Sequence, residues 1–572
     1  MEINKKDIIR LLEEIALFLE IKGENPFRIS AYRKAAQALE RDNRSMSEIT
    51  DFTQIKGIGK GTAEIIAEYI NNGTSEVLDR LKEDIPESLL SLLKIPGLGG
   101  KRIAKLYQEL EIVDIESLKN ACENGAVEQL SGFGKKTVEN ILEAINELSV
   151  RVERLPIAYM LQRVEQIETI LRSIKEIERF SRAGSVRRLE ETVRDLDFVI
   201  ATQSQASVRE HLLQMDNIER IISDGPTKLS ITIRDEYLVD IDFRFVTNEE
   251  FITTLHHFTG SKDHNIAMRQ LAKEQGEKIN EYGVTSESSD EVRTFSSEEA
   301  FFNHFNVHYI PPESRTNGLE VTKFQRDQSV INEADIKGDL HSHTTWSDAA
   351  HSIEEMVQAA IERGYEYVAI TDHSKYLQVA NGLNEYRLRK QREEIDRLNE
   401  TYKEIEIFAG VEMDILPDGS LDFSDDFLKE MDIVIAAIHS SFNQTEEQIM
   451  HRLSNALQHP YVDIIAHPTG RLIGRREGYA VDMEALINQA KETETVLEIN
   501  ANPNRFDLSA YWAQQAEEAG VHLAINTDAH NKSMFSHMSY GVGVAKKGLI
   551  SQETVINTWP VERLKQYLTR NH

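Results

Sequence analysis

Val368-Ala369-Ile370-Thr371-Asp372-His373 is a short apolar run that ends in a carboxylate and an imidazole. The pattern recurs along the C-terminal part of the chain. Residues 407–411 lead to Glu412, residues 433–438 to His439, residues 464–466 to His467, and Leu523–Asn526 to Asp528 and His530. His341-Ser342-His343 opens the series, and Asp348 follows. Short apolar strands alternating with charged helices indicate repeated β–α units. Functional groups at strand C-termini indicate a barrel with its site on that rim. A lone histidine is most often a surface or satisfied core residue, and His351, His451, His459, His522, His537 and His572 are read that way. Packing does not explain the other nine histidine and carboxylate positions. H-x-H sets both imidazoles on one face of a strand. Neutral imidazole with carboxylate suits Zn, Mn or Fe, and a cluster of this size suits more than one ion. Two or three such ions side by side hydrolyse phosphate esters.

At 572 residues the chain is too long for one core, and three or four domains are expected. No apolar run approaches the ~18 residues that a membrane helix needs. Met1-Glu2-Ile3-Asn4 leads into an acidic amphipathic helix and is not read as a secretory leader. The lone Cys122 excludes an intrachain disulfide and a thiolate metal site. A cytoplasmic monomer is expected. The net charge is −31, and residues 1–150 carry −6 of it. That sign argues against loose, charge-driven binding to nucleic acid, so any such contact must use local basic groups, backbone amides and metals.

Three segments in residues 1–150 resemble one another: Ile55-Lys56-Gly57-Ile58-Gly59-Lys60, Ile95-Pro96-Gly97-Leu98-Gly99-Gly100-Lys101 and Leu130-Ser131-Gly132-Phe133-Gly134-Lys135. Each closes one helical pattern and opens another. Glycine lets a ligand approach the backbone, and the helix that follows offers free N–H groups to an anion. The segments resemble the helix-hairpin-helix element, which grips DNA phosphates without reading bases. If one copy is only structural, it is the third, with Phe133.

In the middle of the chain, Val193-Arg194-Asp195-Leu196-Asp197-Phe198 sets two carboxylates on one face of a strand. Paired carboxylates repel unless a cation lies between them. Gly184-Ser185-Val186-Arg187-Arg188 supplies amides, a hydroxyl and guanidinium groups suited to phosphates. A second strand carries Asp240 and Asp242, and His257-Phe258-Thr259-Gly260-Ser261 and Asn265 follow. Together these motifs resemble the X family of DNA polymerases, over about residues 1–315. The resemblance implies that Asp195, Asp197 and Asp242 hold two Mg2+ or Mn2+ ions. It implies that Ser185, Arg188, His257, Phe258, Gly260, Ser261 and Asn265 bind the incoming dNTP. Gly57, Gly59, Gly97, Gly99, Lys101, Gly132 and Gly134 would hold DNA. Asp242 is preferred to Asp240 for its spacing to Phe258. The chain departs from the family twice. His257 replaces the usual Tyr near the nucleotide sugar, and Ile65 stands where some members carry a Schiff-base lysine.

The nine C-terminal positions match the PHP (polymerase and histidinol phosphatase) family, a distorted (β/α)7 barrel, over about 337–570. That resemblance implies up to three Mn2+ or Zn2+ ions. His341, His343, Glu412 and Asp528 would hold one, Glu412, His439 and His467 a second, and Asp348, His373 and His530 the third. From the residues themselves, Asp372 is placed to orient a ligand imidazole, and Arg471, Arg475 and Arg476 either contact the DNA backbone or lie in a solvated loop. The expected fold is multidomain, α+β and α/β. A helical hairpin region spans 1–150, a nucleotidyltransferase palm and small thumb 151–315, a linker 316–336 and the barrel 337–572. The expected function is short-gap DNA repair synthesis on gapped or primed DNA with dNTPs. A Mn-dependent 3′–5′ exonuclease accompanies it, and activity at abasic sites fits the barrel. Two rivals are a histidinol-phosphate-type phosphatase with a vestigial DNA-binding half and a non-catalytic gap sensor.

Overall fold

The computed structural model describes residues 5–41, 49, 51–95, 97–150, 152–286, 291–326 and 329–570. Met1–Asn4, Pro96, Asp327, Gln328 and His572 of the readings above lie outside them. The chain divides into two compact units, residues 1–152 with 236–238 and residues 153–235 with 239–572.

The first unit is helical. Lys5–Lys22, Pro26–Arg41, Lys60–Asn72, Gly100–Leu110 and Lys135–Val150 are its longer helices. Apolar residues at helical spacing, among them Ile8, Leu12, Ile15, Phe18 and Leu19, are buried in a shared core with Ile66, Ile103 and Phe133. The three hairpin turns have one geometry. Ile58 N donates to Ile55 O at 3.0 Å, Leu98 N to Ile95 O at 3.1 Å and Phe133 N to Leu130 O at 3.0 Å. Gly57, Gly97 and Gly132 take φ of 116°, 85° and 93°, a region costly for other residues. The third copy is thus built like the others. Ile65, at the Schiff-base position, packs against the helical core.

The second unit holds two sheets that carry functional motifs. The first is mixed. Its strands are β1 (Arg179–Arg182), β2 (Asp195–Ala201), β3 (Ile218–Asp224), β4 (Lys228–Arg234) and β5 (Leu238–Val246), in the order β1-β2-β5-β4-β3. β2 and β5 run parallel, with Asp195 opposite Asp240 and Asp197 opposite Asp242. Alternation buries Leu196, Phe198, Ile241 and Phe243 and leaves the four carboxylates on the other face. Phe251, Phe301, Phe302 and Phe305 build a neighbouring core. Residues 316–336, read as a linker, carry the helix Leu319–Phe324, whose Val321 and Phe324 are buried in that same core. The segment looked polar because only one face of this short helix is apolar.

The second sheet is parallel and seven-stranded: β6 (Gly338–Asp339), β7 (Tyr367–Ile370), β8 (Glu406–Asp414), β9 (Ile433–Ala437), β10 (Ile464–Ile465), β11 (Val496–Asn500) and β12 (Leu523–Asn526), paired in chain order. These strands are nearly all buried, as expected where helices cover a parallel sheet. Past the ends of β6 and β12 the barrel is nearly closed by a bridge between Ser342 and Ala529. The Asn557 side chain spans the same gap. It donates to Gly338 O at 3.0 Å and Ile525 O at 2.8 Å, and accepts from Ile525 N at 2.8 Å. Asn557→Ala would leave these buried groups unpaired, at about 3 kcal/mol. Calorimetry should show the barrel's unfolding transition several degrees lower; an unchanged transition would mean that Asn557 does not hold the gap.

Candidate functional site

The barrel rim gathers all nine residues picked out by the strand-end pattern. Glu412, on β8, is buried at the centre. His439 Nε2 lies 3.1 Å and His467 Nε2 2.9 Å from its Oε1, and His373 Nδ1 lies 2.7 Å from its Oε2. His341 Nε2 and His343 Nε2 stand 3.5 and 3.6 Å from the same carboxylate. These two nitrogens are 3.1 Å apart, and Asp528 Oδ1 is 3.2 Å from His343 Nε2. Asp348 Oδ1 is 3.7 Å from His373 Nε2 and 3.5 Å from His530 Nε2. Among the described residues, three groups have ligand atoms close enough for one ion: His341, His343 and Asp528; His343, Asp348, His373 and His530; and His373, Glu412 and His439. They overlap the three implied sets but assign His343 and His373 more broadly.

The donor set fits divalent cations. His343 Nδ1 and His467 Nδ1 are buried without a hydrogen-bond partner, and His373 Nδ1 and Glu412 Oε2 face each other at 2.7 Å without forming one, an arrangement that costs free energy unless a cation satisfies it. His467 and Asp528 are also held at φ of 30° and 53°, conformations that a residue with a Cβ keeps only where its surroundings impose them. Electrostatics follow from the crowding. Burial depresses His343 to about 3, with His530 and His373 adding to the effect. Burial would depress His439 too, but Glu412 and Asp414 push it up to about 10. Glu412 and Asp528 are held well below the carboxylate range against their burial, chiefly by His439 and His341 respectively.

Two supporting carboxylates escaped the sequence reading. Glu498 receives His341 Nδ1 at 2.8 Å and the His467 backbone N–H at 2.7 Å. Asp414 lies 3.3 Å from His439 Nδ1. Both fix the ring so that Nε2 faces the cluster. The available signal was a charged residue inside each apolar strand, two positions after Glu412 in one case. Asp372 was misread. Its carboxylate accepts from Thr344 N at 2.8 Å, Thr344 Oγ1 at 2.7 Å and Gln391 Nε2 at 2.5 Å, so it pins the loop after His343 and orients no imidazole. Arg471 was misread as well, because it pairs with Glu191 of the palm segment at 2.7 Å. Arg476 donates to Gly470 O at 2.8 Å.

In the mixed sheet Asp197 and Asp242 meet in register, and Asp195 shares their face. They are not among the tight groups just described. Gly184 is required here: a Cβ would lie 2.2 Å from Asp197 Oδ2, and its φ is +61°. Burial, then Asp195 and Asp242, raise Asp197 to about 7. Ser230 Oγ donates to Asp242 Oδ1 at 2.6 Å, and Lys228 Nζ sits 2.7 Å from its Oδ2, an ammonium standing where a cation is wanted. Carboxylates this crowded fit a divalent cation. Arg188, His257, Phe258, Gly260, Ser261 and Asn265 line one cleft of about 360 Å³. His257 also lines a neighbouring cleft of about 750 Å³ with Arg269, Lys273 and Tyr282. Asn265 donates to His257 O at 2.8 Å, while its Oδ1 is buried and unpartnered. Ser261 caps the helix Lys262–Glu274. Ser185, half-buried, lies on the short helix Gly184–Arg187.

Hairpins, a polymerase-like palm and a ligand-rich barrel on one chain define a two-centre class, and comparison with known proteins agrees. A helix-hairpin-helix domain matches residues 3–75, a SAM-like helix-hairpin-helix tandem 88–147, a DNA polymerase beta thumb 254–316 and a PHP domain 339–502. The DNA polymerase/3′-5′ exonuclease PolX of Bacillus subtilis (strain 168) is 55% identical over 568 residues, covering 99% of this chain and 100% of that protein. A "Probable phosphatase" of Thermoanaerobacter sp. (strain X514) is 31% identical over 245 residues, 40% of this chain and 93% of that protein. Another, from Acetivibrio thermocellus, is 27% identical over 41% of this chain and 95% of its own length. The chain belongs to the PolX family.

Without a cation, the Asp197 carboxyl keeps its proton below about 7, and that proton competes with a bound ion. Apparent Mg2+ affinity at this site should therefore fall as pH drops from about 8 to about 6, with proton release on binding. Calorimetric titration in buffers of different ionisation enthalpy would read both, and Asp197→Asn should abolish the release. A pH-independent affinity would overturn the assignment.

Proposed function

We propose that this chain is a gap-filling DNA polymerase whose barrel trims 3′ ends as a 3′–5′ exonuclease. The observation that carries this reading is the full-length relationship to PolX together with two separate ligand-rich centres on one chain. The PHP-only phosphatases share just 40% of the chain, which disfavours a small-molecule phosphatase. The ligand groups of the barrel, and Asp197 and Asp242 meeting in register in the mixed sheet, disfavour a non-catalytic sensor.

The hairpin glycines and Lys101 bind backbone phosphates of gapped or primed DNA. Lys60, Gly61, Gly99 and Gly134 are exposed, and no neighbouring atom crowds Gly61, Gly99 or Gly134, so the amide edge is open to a phosphate. Ser185, Arg188 and the amides of Gly184–Arg187 receive the triphosphate of a dNTP. His257 faces the sugar; its imidazole, kept neutral by burial and by Arg269, recognises it differently from the usual Tyr hydroxyl. Asp195, Asp197 and Asp242 would hold Mg2+ or Mn2+. The nine barrel residues would hold Mn2+ or Zn2+, with Glu412 shared between ions. Such ions supply Lewis acidity and an activated water for phosphoryl chemistry. Glu498 and Asp414 keep His341 and His439 in the ligating tautomer. Cleavage at abasic sites is a further use of the barrel centre. The chain works as a monomer in the cytoplasm; no helix among the described residues is long and apolar enough to cross a membrane.

A primed, gapped duplex incubated with Mn2+, with and without dNTPs, tests the division of labour. Asp195→Ala/Asp197→Ala should lose extension by at least about a hundredfold and keep degradation. His341→Ala/His343→Ala should do the reverse. Simultaneous loss of both activities in either variant would refute two independent centres. Hydrolysis of histidinol phosphate with neither DNA activity would favour the phosphatase.

A further inference from the structure

The barrel is packed on the loop that follows the helix Gly184–Arg187. Leu189, at φ +50°, inserts where Gly543 has no side chain; a Cβ there would lie 2.2 Å from Leu189 Cδ1. Lys547, at the end of the barrel helix Met538–Lys547, donates to Leu189 O at 3.3 Å and pairs with Glu190 Oε2 at 3.0 Å. Next along the loop, Glu191 is held by Arg471, shortly after His467. Ser314 Oγ donates to Lys546 O at 2.7 Å from the thumb side.

Glu190 thus stands between two cations. Its other oxygen, Oε1, lies 3.6 Å from Arg188 Nε. That nitrogen is buried and makes no hydrogen bond, while Arg188 Nη1 donates to Thr259 O. A carboxylate so close to a buried guanidinium should close to full hydrogen-bond distance and neutralise it. Glu190 is instead shared between the two cations, its carboxylate closer to Lys547 than to Arg188.

We propose that Lys547 of the barrel is a positioning residue for the polymerase centre, drawing Glu190 towards itself so that the charge of Arg188 is less fully offset and is available to the triphosphate. The proposal rests on the reading of Arg188 as a triphosphate ligand given above. The barrel is then more than an appended nuclease, because one of its lysines sets the charge available to the nucleotide. In the absence of Lys547, Glu190 collapses onto Arg188 and competes with the dNTP.

Single-nucleotide insertion on a gapped duplex, using the full-length chain and the complementary dNTP, tests this. Lys547→Ala should raise KM for the dNTP about tenfold, the size of one charge-assisted hydrogen bond gained by the competitor. It should leave kcat within about twofold and leave the exonuclease rate on the same preparation unchanged. Lys547→Arg should behave like the parent. The decisive variant is Glu190→Gln/Lys547→Ala, which should return KM towards the parent value because the competing charge is gone. A lysine that only docks the two parts predicts the opposite, since the double variant loses both halves of the contact. An unchanged KM in Lys547→Ala, no recovery in the double variant, or loss of exonuclease activity overturns the proposal. Arg188→Ala separates the two levels: if it leaves KM for the dNTP unchanged, the triphosphate reading itself fails.

Discussion

One buried carboxylate, Glu412, is approached by five imidazoles, those of His341, His343, His373, His439 and His467. Nothing in hydrophobic packing favours that arrangement. It places polar atoms without partners in a region of low dielectric, an arrangement that bound cations would satisfy. The parallel barrel exists to hold it. Six of the seven strands lead to ligand residues on one rim, and carboxylates behind the rim, Glu498 and Asp414, fix the rings.

The same physics operates at smaller scale in the mixed sheet. Parallel pairing of β2 with β5 sets Asp197 against Asp242, and Gly184 gives up a side chain so that Asp197 can approach the helix Gly184–Arg187. Lys228 and Ser230 relieve part of the repulsion at Asp242. In the proposed reading, one centre makes phosphodiester bonds and the other breaks them. The first depends on carboxylates pressed together more closely than they tolerate unless a cation joins them, the second on imidazoles crowded around one carboxylate.

Much of this was legible in the chain. Strand periodicity and strand-end ligands located the barrel, and the observed strands match the apolar runs within a few residues. The repeated G-x-G turns located the hairpins, because a positive φ leaves a mark in sequence that few residues other than glycine supply. Reading failed where a residue's partner lies far along the chain. Asp372 sits beside a ligand histidine, yet its hydrogen bonds go to Thr344 and Gln391. Arg471 follows His467-Pro468 in a loop that looked solvated, yet Glu191 claims it. The segment 316–336 looked like a linker, yet Val321 and Phe324 join a core made mostly of earlier residues.

The sequence by itself determined which residue types stand at strand ends and which turns need glycine, because these follow from local periodicity and backbone stereochemistry; its motif residues carried the family resemblance. Only the tertiary structure decided how eight of the nine candidate ligands fall into overlapping groups, which carboxylates stand behind them, and that Lys547 of the barrel meets Glu190 beside Arg188. Those are distances between side chains far apart in the chain. They are set by how the strands twist and the layers pack, and no local pattern encodes them.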